Sequence, residues 1–362
     1  MISNQILQST IDELKKITQI DLHVFDIDGK VLASTQADAA VYNALVSEFA
    51  KVPEEQQEIK GSYFYKIYDE YQLEYILVAY GKGAEAQTIG NIAAFQIKSL
   101  STAYQERFDK DNFFKNLLLN NLLLVDIYNR AKKLHVDTEV RRVIFIIEMP
   151  SDKEANVLEQ VRNLLGSKTK DFITAVDEKN VIIVKEVQSN AGYKELDAYA
   201  NEVLVFLQEE CNASFHVAYG TIVSDIKEVS KSYKEAKLAL DVGKIFFSEK
   251  SVVAYNTLGI GRLIYQLPVP LCKMFIREIF EGKSPDDFDE ETLTTIYKFF
   301  ENSLNVSETS RQLYIHRNTL VYRLDKIQKS TGLDLRVFED AITFKIALMV
   351  VRYMKYMETV EY

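Results

Sequence analysis

The chain has 362 residues, a net charge of −10, an apolar content of 47% and a charged content of 27%. These values fit a globular protein of two or three domains, and they exclude a protein that coats nucleic acid over its whole surface. No apolar run reaches the roughly 18–20 residues that span a bilayer. The N-terminus has no secretory h-region, and Cys211 and Cys272 are too far apart in the sequence to suggest a disulfide framework or a metal site. We therefore expect a cytoplasmic protein with no membrane partner, no metal and no cofactor.

Residues 1–106 are predicted to form an α+β domain. Two short β runs flank Asp28-Gly29 within residues 21–34, which is a strong hairpin signal. Further β runs are expected at 62–68 and 73–79, followed by a helical stretch at 84–101. Strands flanked by helices are typical of a sensor domain of the PAS or GAF kind, although any small α+β domain would show the same pattern.

Residues 107–138 are predicted to be a helical linker, within a longer helical stretch at 102–134. It carries a dense apolar stripe, formed by Phe113, Phe114, Leu117, Leu118, Leu122 and Leu124. Such a stripe belongs either to a domain core or to a helix that pairs with its twin in a dimer. The sequence leaves both alternatives open.

Residues 139–266 predict the element order β-α-β-β-α-β-α-β. The strands are expected at 143–147, 172–176, 181–184, 214–219 and 252–255, and the helices at 154–165, 193–210 and 226–242. This order resembles the palm of nucleotide cyclases. A diguanylate cyclase needs a Gly-Gly-acid turn and paired acids near the first strand to hold Mg²⁺. Here the hairpin turn is Asp177-Glu178-Lys179-Asn180, and the first strand ends with the single acid Glu148.

We therefore predict a degenerate, GGDEF-like palm with no catalytic residues. Other enzyme classes find no support either, because the four histidines are scattered and neither a nucleophile elbow nor a phosphate-binding glycine loop occurs. The fold class is then multidomain α+β: a PAS/GAF-like sensor, a degenerate cyclase-like α/β palm and an all-α C-terminal domain.

A segment marked by Pro268, Pro270 and Pro285 leads into the last block, residues 286–362, where helices are expected at 291–300, 307–313, 317–330 and 337–356. The second and third of these read as a helix-turn-helix. Residues 302–336 hold six basic and three acidic side chains, which gives a local charge of +3 on an acidic chain. Ser307 is expected to cap the first helix, Ile315 to fill the space between the helices, and Leu320, Leu324 and Ile327 to face the core.

Ten side chains form the predicted DNA-binding set: Ser307, Thr309, Arg311, His316, Arg317, Asn318, Thr319, Tyr322, Arg323 and Lys326. His316, Arg317 and Asn318 are expected to read bases, because groove-reading helices place their N-terminal residues on base edges. The hydroxyl and basic groups from Thr319 to Lys326 are expected to hold phosphates. An ordinary helical hairpin with a solvated basic face would give the same pattern.

The nine residues His316 to Leu324, HRNTLVYRL, are followed by Gly332-Leu333-Asp334-Leu335. This run resembles the C-terminal helix-turn-helix of the PucR/CdaR family, the regulators of purine catabolism and carbohydrate diacids, and the recognition helix of the Fis nucleoid protein. Ser310 stands where the family usually has alanine. The resemblance continues upstream through the segment FDKDNFFKNLLLNN and through AYGTIVSDIKEVSKSYKEAKLAL, so it covers residues 105–360 and is weak before them.

The resemblance implies a transcriptional regulator that binds double-stranded operator or promoter DNA and responds to a small-molecule effector at its N-terminal domain. Sugar diacids are one known class of effector, but the first arginine in this chain is Arg107, so residues 1–106 lack the guanidinium fork that binds carboxylates well. We expect a homodimer, because one such module touches few bases. The alternatives are a nucleotide-binding or nucleotide-converting signalling protein that uses the middle domain, and a scaffold whose basic helix docks an acidic partner.

Overall fold

The computed structural model describes residues 2–69, 72–149, 157–165, 171–280 and 288–360. The chain divides into two compact units, one of Met1–Phe114 with Arg130–Val136 and one of Lys115–Asn129 with Asp137–Tyr362. Within the described ranges, no helix combines the length and the apolar character that a membrane span requires.

The smaller unit is built on a five-stranded antiparallel sheet. Its elements are α1 (Asn4–Thr18), β1 (Asp21–Phe25), β2 (Val31–Ser34), α2 (Asn43–Phe49), β3 (Gln56–Ile59), β4 (Ser62–Asp69) and β5 (Gln72–Tyr80), followed by the start of α3 (Ala84–Leu118). The strand order is β2-β1-β5-β4-β3. The predicted hairpin is confirmed, since β1 and β2 pair antiparallel. Gly29 in its turn has φ +86°, and a Cβ there would lie 2.4 Å from the Asn43 carbonyl oxygen, so the turn requires glycine.

Apolar residues fill both faces of this sheet. Alternate residues of a strand point to opposite faces, and β5 shows this well: Leu77 packs with Leu7 of α1 and Ile97 of α3. Its neighbour Ile76 packs with Val46 of α2 on the other face. The unit is therefore a sheet between two helical layers.

The helical region after this sheet differs from the predicted linker. One continuous helix, α3, runs for 35 residues from Ala84 to Leu118. The chain then turns through Asn120, which has φ +59°, and continues as α4 (Leu124–Lys133). Phe113, Phe114, Leu117 and Leu118 are all at most 4% exposed. The core alternative is therefore the correct one for these four residues, and they are not available as a dimer seam.

The middle part of the larger unit has the predicted element order. The elements are β6 (Arg142–Glu148), α5 (Val157–Leu165), β7 (Phe172–Ala175), β8 (Asn180–Glu186), α6 (Tyr193–Cys211), β9 (His216–Tyr219), α7 (Val229–Phe246) and β10 (Val252–Ala254). The sheet order is β10-β9-β6-β8-β7, and only β10 with β9 is a parallel pair among the described strands. Residues 154–156 of the predicted first helix lie outside the described residues.

Gly220 allows α7 to pack tightly against this sheet. A Cβ at Gly220 would lie 2.1 Å from the Ser232 carbonyl oxygen. The buried Ser232 hydroxyl accepts a hydrogen bond from the Ile144 N–H (3.1 Å) and donates one to the Thr221 carbonyl (2.8 Å). The glycine and the serine of the family-like segment thus have a structural role, which is to join helix and sheet.

The C-terminal part is helical, as predicted. It comprises α8 (Gly261–Ile264), α9 (Val269–Phe280), α10 (Glu290–Glu301), α11 (Val306–Gln312), α12 (Arg317–Thr331) and α13 (Phe338–Val360). One apolar cluster holds the last five helices together and includes Phe280, Phe299, Leu324 and Phe344. Pro285 lies outside the described residues.

Candidate DNA-binding site

The N-cap of helix α11 lies two residues earlier than the sequence suggested. Asn305, and not Ser307, is its N-cap, and the Asn305 side chain accepts a hydrogen bond from the Glu308 N–H at 3.0 Å. Asparagine and serine cap helices about equally well, so the local sequence did not decide between them. Ser307 remains exposed in the first turn.

The turn between α11 and α12 holds an aromatic residue that the sequence reading left out of the site. Tyr314 has φ +53° and is 95% exposed, so its ring stands free beside the start of α12. Ile315 packs against the apolar core of the C-terminal helices, as predicted, and its side chain is partly rather than completely buried. The position of Tyr314 in the turn before a basic helix is the sequence feature that could have placed it in the site.

The inner face of α12 is confirmed. Leu320, Leu324 and Ile327 are at most 1% exposed, as the spacing i, i+4, i+7 predicts. His316 is the N-cap, and its Nδ1 accepts a hydrogen bond from the Asn318 N–H at 3.2 Å. The neutral ring therefore carries its proton on Nε2, where it remains a donor.

The N-terminal end of α12 presents polar side chains that no other part of the described chain satisfies. Arg317, Asn318 and Thr319 are exposed, and Tyr322 is 71% exposed. None of these four side chains has a hydrogen bond or ion pair with another described residue. Helix N-termini also carry a partial positive charge. The polar side chains at this end of the helix are therefore free to bind an external partner with hydrogen-bond acceptors.

Two residues of the predicted set do not belong to this exposed surface. Thr309 is fully buried, and its hydroxyl donates to the Asn305 carbonyl at 2.8 Å. Arg323 is 17% exposed, and its guanidinium binds the Thr295 hydroxyl at 3.0 Å and the Glu291 carboxylate. Both predictions of DNA contact are corrected: Thr309 lies in the interior, and Arg323 joins α12 to α10.

The remaining basic residues of the set have partial partners. Arg311 is 76% exposed and forms an ion pair with Glu308, which holds the pKa of that carboxyl below its usual value. The Lys326 ammonium lies 3.4 Å from the Asp289 carboxylate, and both groups are largely exposed. The pKa of Asp289 is lowered mainly by its hydrogen bonds from Thr292, at the start of α10, and further by Lys326. Exposed pairs of this kind exchange readily for solvent or another anion.

The middle domain concentrates charged residues at the end of β6. The Glu148 carboxylate contacts the Lys244 ammonium and lies 3.8 Å from His216 Nδ1. In the β7–β8 turn, the Asp177 carboxylate accepts hydrogen bonds from the Lys179 N–H and the Asn180 amide, each at 2.9 Å. No cluster of three or more metal-ligating side chains occurs in the described ranges. Glu148 and Asp177 are therefore both bound by groups of the protein itself.

Two family models match the chain. The PucR C-terminal helix-turn-helix domain matches residues 292–350, and the GGDEF-like domain matches residues 121–242. The chain is 27% identical over 228 residues to the carbohydrate diacid regulator of Escherichia coli, covering 60% of this chain and 59% of that protein.

Two Bacillus subtilis proteins are also similar. The purine catabolism regulatory protein is 26% identical over 171 residues, covering 46% of this chain and 32% of that protein. The proline-responsive transcriptional activator PutR is 24% identical over 225 residues, covering 58% and 53%. The match thus spans between a third and three-fifths of the length of these relatives.

The matched regions include the whole of α11 and α12 and the strands β6 to β9. Together with the free polar end of α12, they place the DNA-binding helix-turn-helix and the GGDEF-like domain in one chain. The domain matches and these named relatives support the predicted resemblance to the PucR/CdaR family.

Proposed function

We propose that the protein is a sequence-specific regulator whose helix α12 enters the major groove of operator or promoter DNA. The observation that carries the proposal is the set of unsatisfied polar side chains at the N-terminal end of α12. Arg317 can bind guanine O6 and N7, and Asn318 can bind adenine N6 and N7. His316 Nε2–H is a further donor to a base edge. A helix-turn-helix uses this end of its second helix for base contacts.

The neighbouring residues fit contacts to the DNA backbone. Ser307 and Arg311 on α11, Thr319 and Tyr322 on α12, and Tyr314 in the turn are exposed hydroxyl or basic groups. Lys326 lies farther along α12, and its weak pair with Asp289 leaves it able to bind phosphate. Such contacts fix the register of a protein on DNA without reading the sequence.

Selection from random double-stranded DNA tests this proposal. The wild-type chain is expected to enrich one motif, and an Arg317→Ala variant is expected to lose preference at a guanine within it. Lys329→Ala is the matched control, because Lys329 is also an exposed cation on α12 but lies in its last turn. Enrichment of no sequence by the wild type would contradict the proposal and favour a scaffold that binds an acidic protein.

We further propose a cytoplasmic homodimer with four parts: a PAS/GAF-like sensor (1–106), a helical linker (107–138), an inactive GGDEF-like domain (139–266) and the DNA-binding domain (286–362). Two copies would place two α12 helices in successive major grooves, so the selected motif should contain two half-sites with two-fold symmetry. Of the exposed apolar residues on α3, Ile92 and Phe95 are 49% and 71% exposed, and they offer a contact surface to a second copy.

We propose the smaller unit as the sensor of a small metabolite. A cavity of about 940 Å³ lies in this unit, and its charged lining consists of Asp26, Asp28, Asp69, Glu74, Asp109 and Lys133. Five carboxylates against one lysine repel a dicarboxylate. The cavity therefore favours a neutral or cationic effector over a sugar diacid.

The alternative function, nucleotide conversion by the middle domain, has a direct test. Incubation with GTP and Mg²⁺ followed by product analysis is expected to show no turnover, because Lys244 already neutralises Glu148. Turnover that is lost in a Glu148→Gln variant would contradict the assignment as a non-enzyme.

A further inference from the structure

A second cavity, of about 480 Å³, lies inside the larger unit. Its walls come from two parts of the chain: the end of α7 and the segment after β10 on one side, and helices α10 and α13 on the other. The lining is mainly apolar, with Phe246, Leu258, Ile260, Tyr297, Phe300 and Met349 among its residues. Ile260 and Tyr297 are each 42% exposed, so the cavity is open to solvent on one side.

Two cations stand beside this apolar surface without an acidic partner. Lys345 and Arg352 line the cavity and are seven residues apart on α13, so they lie on the same side of that helix. Neither forms an ion pair with any residue in the described ranges, and the Lys345 ammonium lies 5.7 Å from the centre of the Phe300 ring. The one acid in the lining, Glu301, is bound by Lys298 at 2.5 Å.

The lining is thus positively charged within a strongly acidic chain. The sequence has 53 acidic and 43 basic residues, so an exposed cation has many acids available as partners. Two free cations two turns apart on one helix, next to aromatic and aliphatic side chains, match a ligand that has one anionic group and an apolar body. The volume lies within the range of about 300–1,000 Å³ typical of small-molecule sites.

We propose that this cavity, the α10–α13 cavity, binds a small apolar carboxylic acid, either aromatic or of medium chain length. The carboxylate lies between Lys345 and Arg352, and the hydrocarbon part packs on Phe300, Tyr297 and Met349. The site is separate from the acidic cavity of the sensor unit and from the reading end of α12.

Binding in this cavity has a consequence for the DNA-binding helices. The ligand contacts α10 and the segment after β10 at the same time, so it stabilises their present arrangement. Helix α10 in turn holds α12 through the contacts of Arg323 with Glu291 and Thr295. A ligand that binds this arrangement more tightly than another would stabilise the position of α12 that α10 holds.

The absence of tryptophan from the chain makes a fluorescence experiment possible. Tyr297→Trp places a single reporter in the wall of the cavity. Titration with 4-phenylbutyrate is expected to change its emission in a saturable way, and the neutral 4-phenylbutyramide is expected to bind about tenfold more weakly, because it lacks the charge that both cations attract. Calorimetry on the wild-type chain measures the binding of the acid and the amide without the introduced tryptophan. Any effect of the Tyr297→Trp substitution on binding therefore does not decide the result.

Substitution of the two cations gives the specific test. In the Lys345→Gln, Arg352→Gln background, the acid and the amide are expected to bind with about equal affinity. The control is Lys273→Gln with Arg277→Gln, which removes two exposed cations from α9 outside the cavity and should leave the tenfold preference unchanged.

Four results would overturn the proposal. The first three are no saturable response by either method, equal binding of acid and amide to the wild type, and an acid preference that survives loss of Lys345 and Arg352. A reporter signal that depends on protein concentration without ligand would show that a second copy covers the cavity, and it would also overturn the proposal. None of these measurements uses DNA, so each leaves the proposed function of α12 intact.

Discussion

The end of β6 and the start of α12 are both rich in polar and charged groups, but they differ in what satisfies those groups. At β6, the Glu148 carboxylate is bound by Lys244 and lies near His216. At α12, Arg317 and Asn318 have no side-chain partner in the described part of the chain. An external ligand gains most from groups that the protein has left free, because a satisfied group must first lose its existing partner.

The same difference divides α12 itself. Its N-terminal end is free, whereas Arg323 in its middle is held by two residues of α10. The first end is available to DNA, and the middle fixes the position of the helix in its domain. Similar side chains one or two turns apart therefore have different roles, and substitutions can separate them.

The largest effect is expected at the satisfied end of β6. Lys244→Met leaves the Glu148 carboxylate, which is 25% exposed, without its main partner. The free energy of unfolding should fall by about 1–3 kcal/mol, the cost of a partly buried polar group without a partner. Urea denaturation measures this loss. Lys227→Met, which breaks the more exposed pair with Asp225, is the control and should change stability much less; an equal loss in both variants would contradict this role of Lys244.

Arg323→Ala should lower stability rather than base specificity. It removes the contacts with Glu291 and Thr295, and we expect the free energy of unfolding to fall by about 1–2 kcal/mol. Arg317→Ala is the matched control. The Arg317 side chain has no hydrogen bond or ion pair with a described residue, so its removal should leave the free energy of unfolding unchanged. Thermal unfolding distinguishes them. The structural assignment of Arg323 is wrong if Arg323→Ala unfolds like the wild type and also changes the selected DNA motif.

Lys326 and Asp289 should act oppositely on DNA affinity. Lys326→Ala should weaken binding evenly across sequences and reduce the salt slope by about one counterion. Asp289→Asn keeps the helix cap, because asparagine caps as well as aspartate, but it frees Lys326. Binding to non-specific DNA should then tighten by about twofold. Titrations at several salt concentrations measure both effects; a looser complex with Asp289→Asn would contradict the pairing.

The smallest effect concerns Asp241, which takes no part in the proposed binding of DNA or of a ligand. Burial raises its pKa above the usual 3.8, against the hydrogen bond from the Tyr265 hydroxyl at 3.1 Å. The folded state therefore favours the protonated carboxyl of Asp241. The contribution of Asp241 to the free energy of unfolding is complete below its pKa in the unfolded chain, and it is lost as the pH rises through its pKa in the folded protein. Asp241→Asn should be modestly more stable than the wild type at neutral pH, and the difference should shrink as the pH falls towards about 4. Urea denaturation at several pH values tests it; an advantage that grows towards low pH would contradict this sign.

The sequence predicted the elements of the larger unit well, because its buried strands are continuous apolar runs and its helices have clear periodicity. It did not predict the sheet orders. In the smaller unit β1 pairs with β5, with Asp21 opposite Tyr80, and no local pattern reports a pairing between residues so far apart. The assumed boundary between helix and linker near Ser101 was wrong for a reason that is visible in the sequence: no proline or glycine interrupts α3 there.

Within the candidate site, the errors have two different physical origins. Val306, Thr309, Ser310 and Leu313 follow the spacing i, i+3, i+4, i+7, so the burial of Thr309 could have been predicted from helical periodicity. Arg323 could not, because its partners Glu291 and Thr295 belong to another helix, about 30 residues earlier. Local spacing gives the face of a side chain, and only tertiary structure gives its partner.

The ratio of affinities for the selected DNA sequence and for a scrambled one tests the central claim most directly. At fixed salt, Arg317→Ala should weaken binding to the selected sequence by about 1–3 kcal/mol, which is roughly 5- to 150-fold, and should change non-specific binding far less. The ratio should therefore fall by most of that factor. An unchanged ratio, with both affinities lowered equally or neither lowered, would contradict the claim that the free end of α12 reads bases.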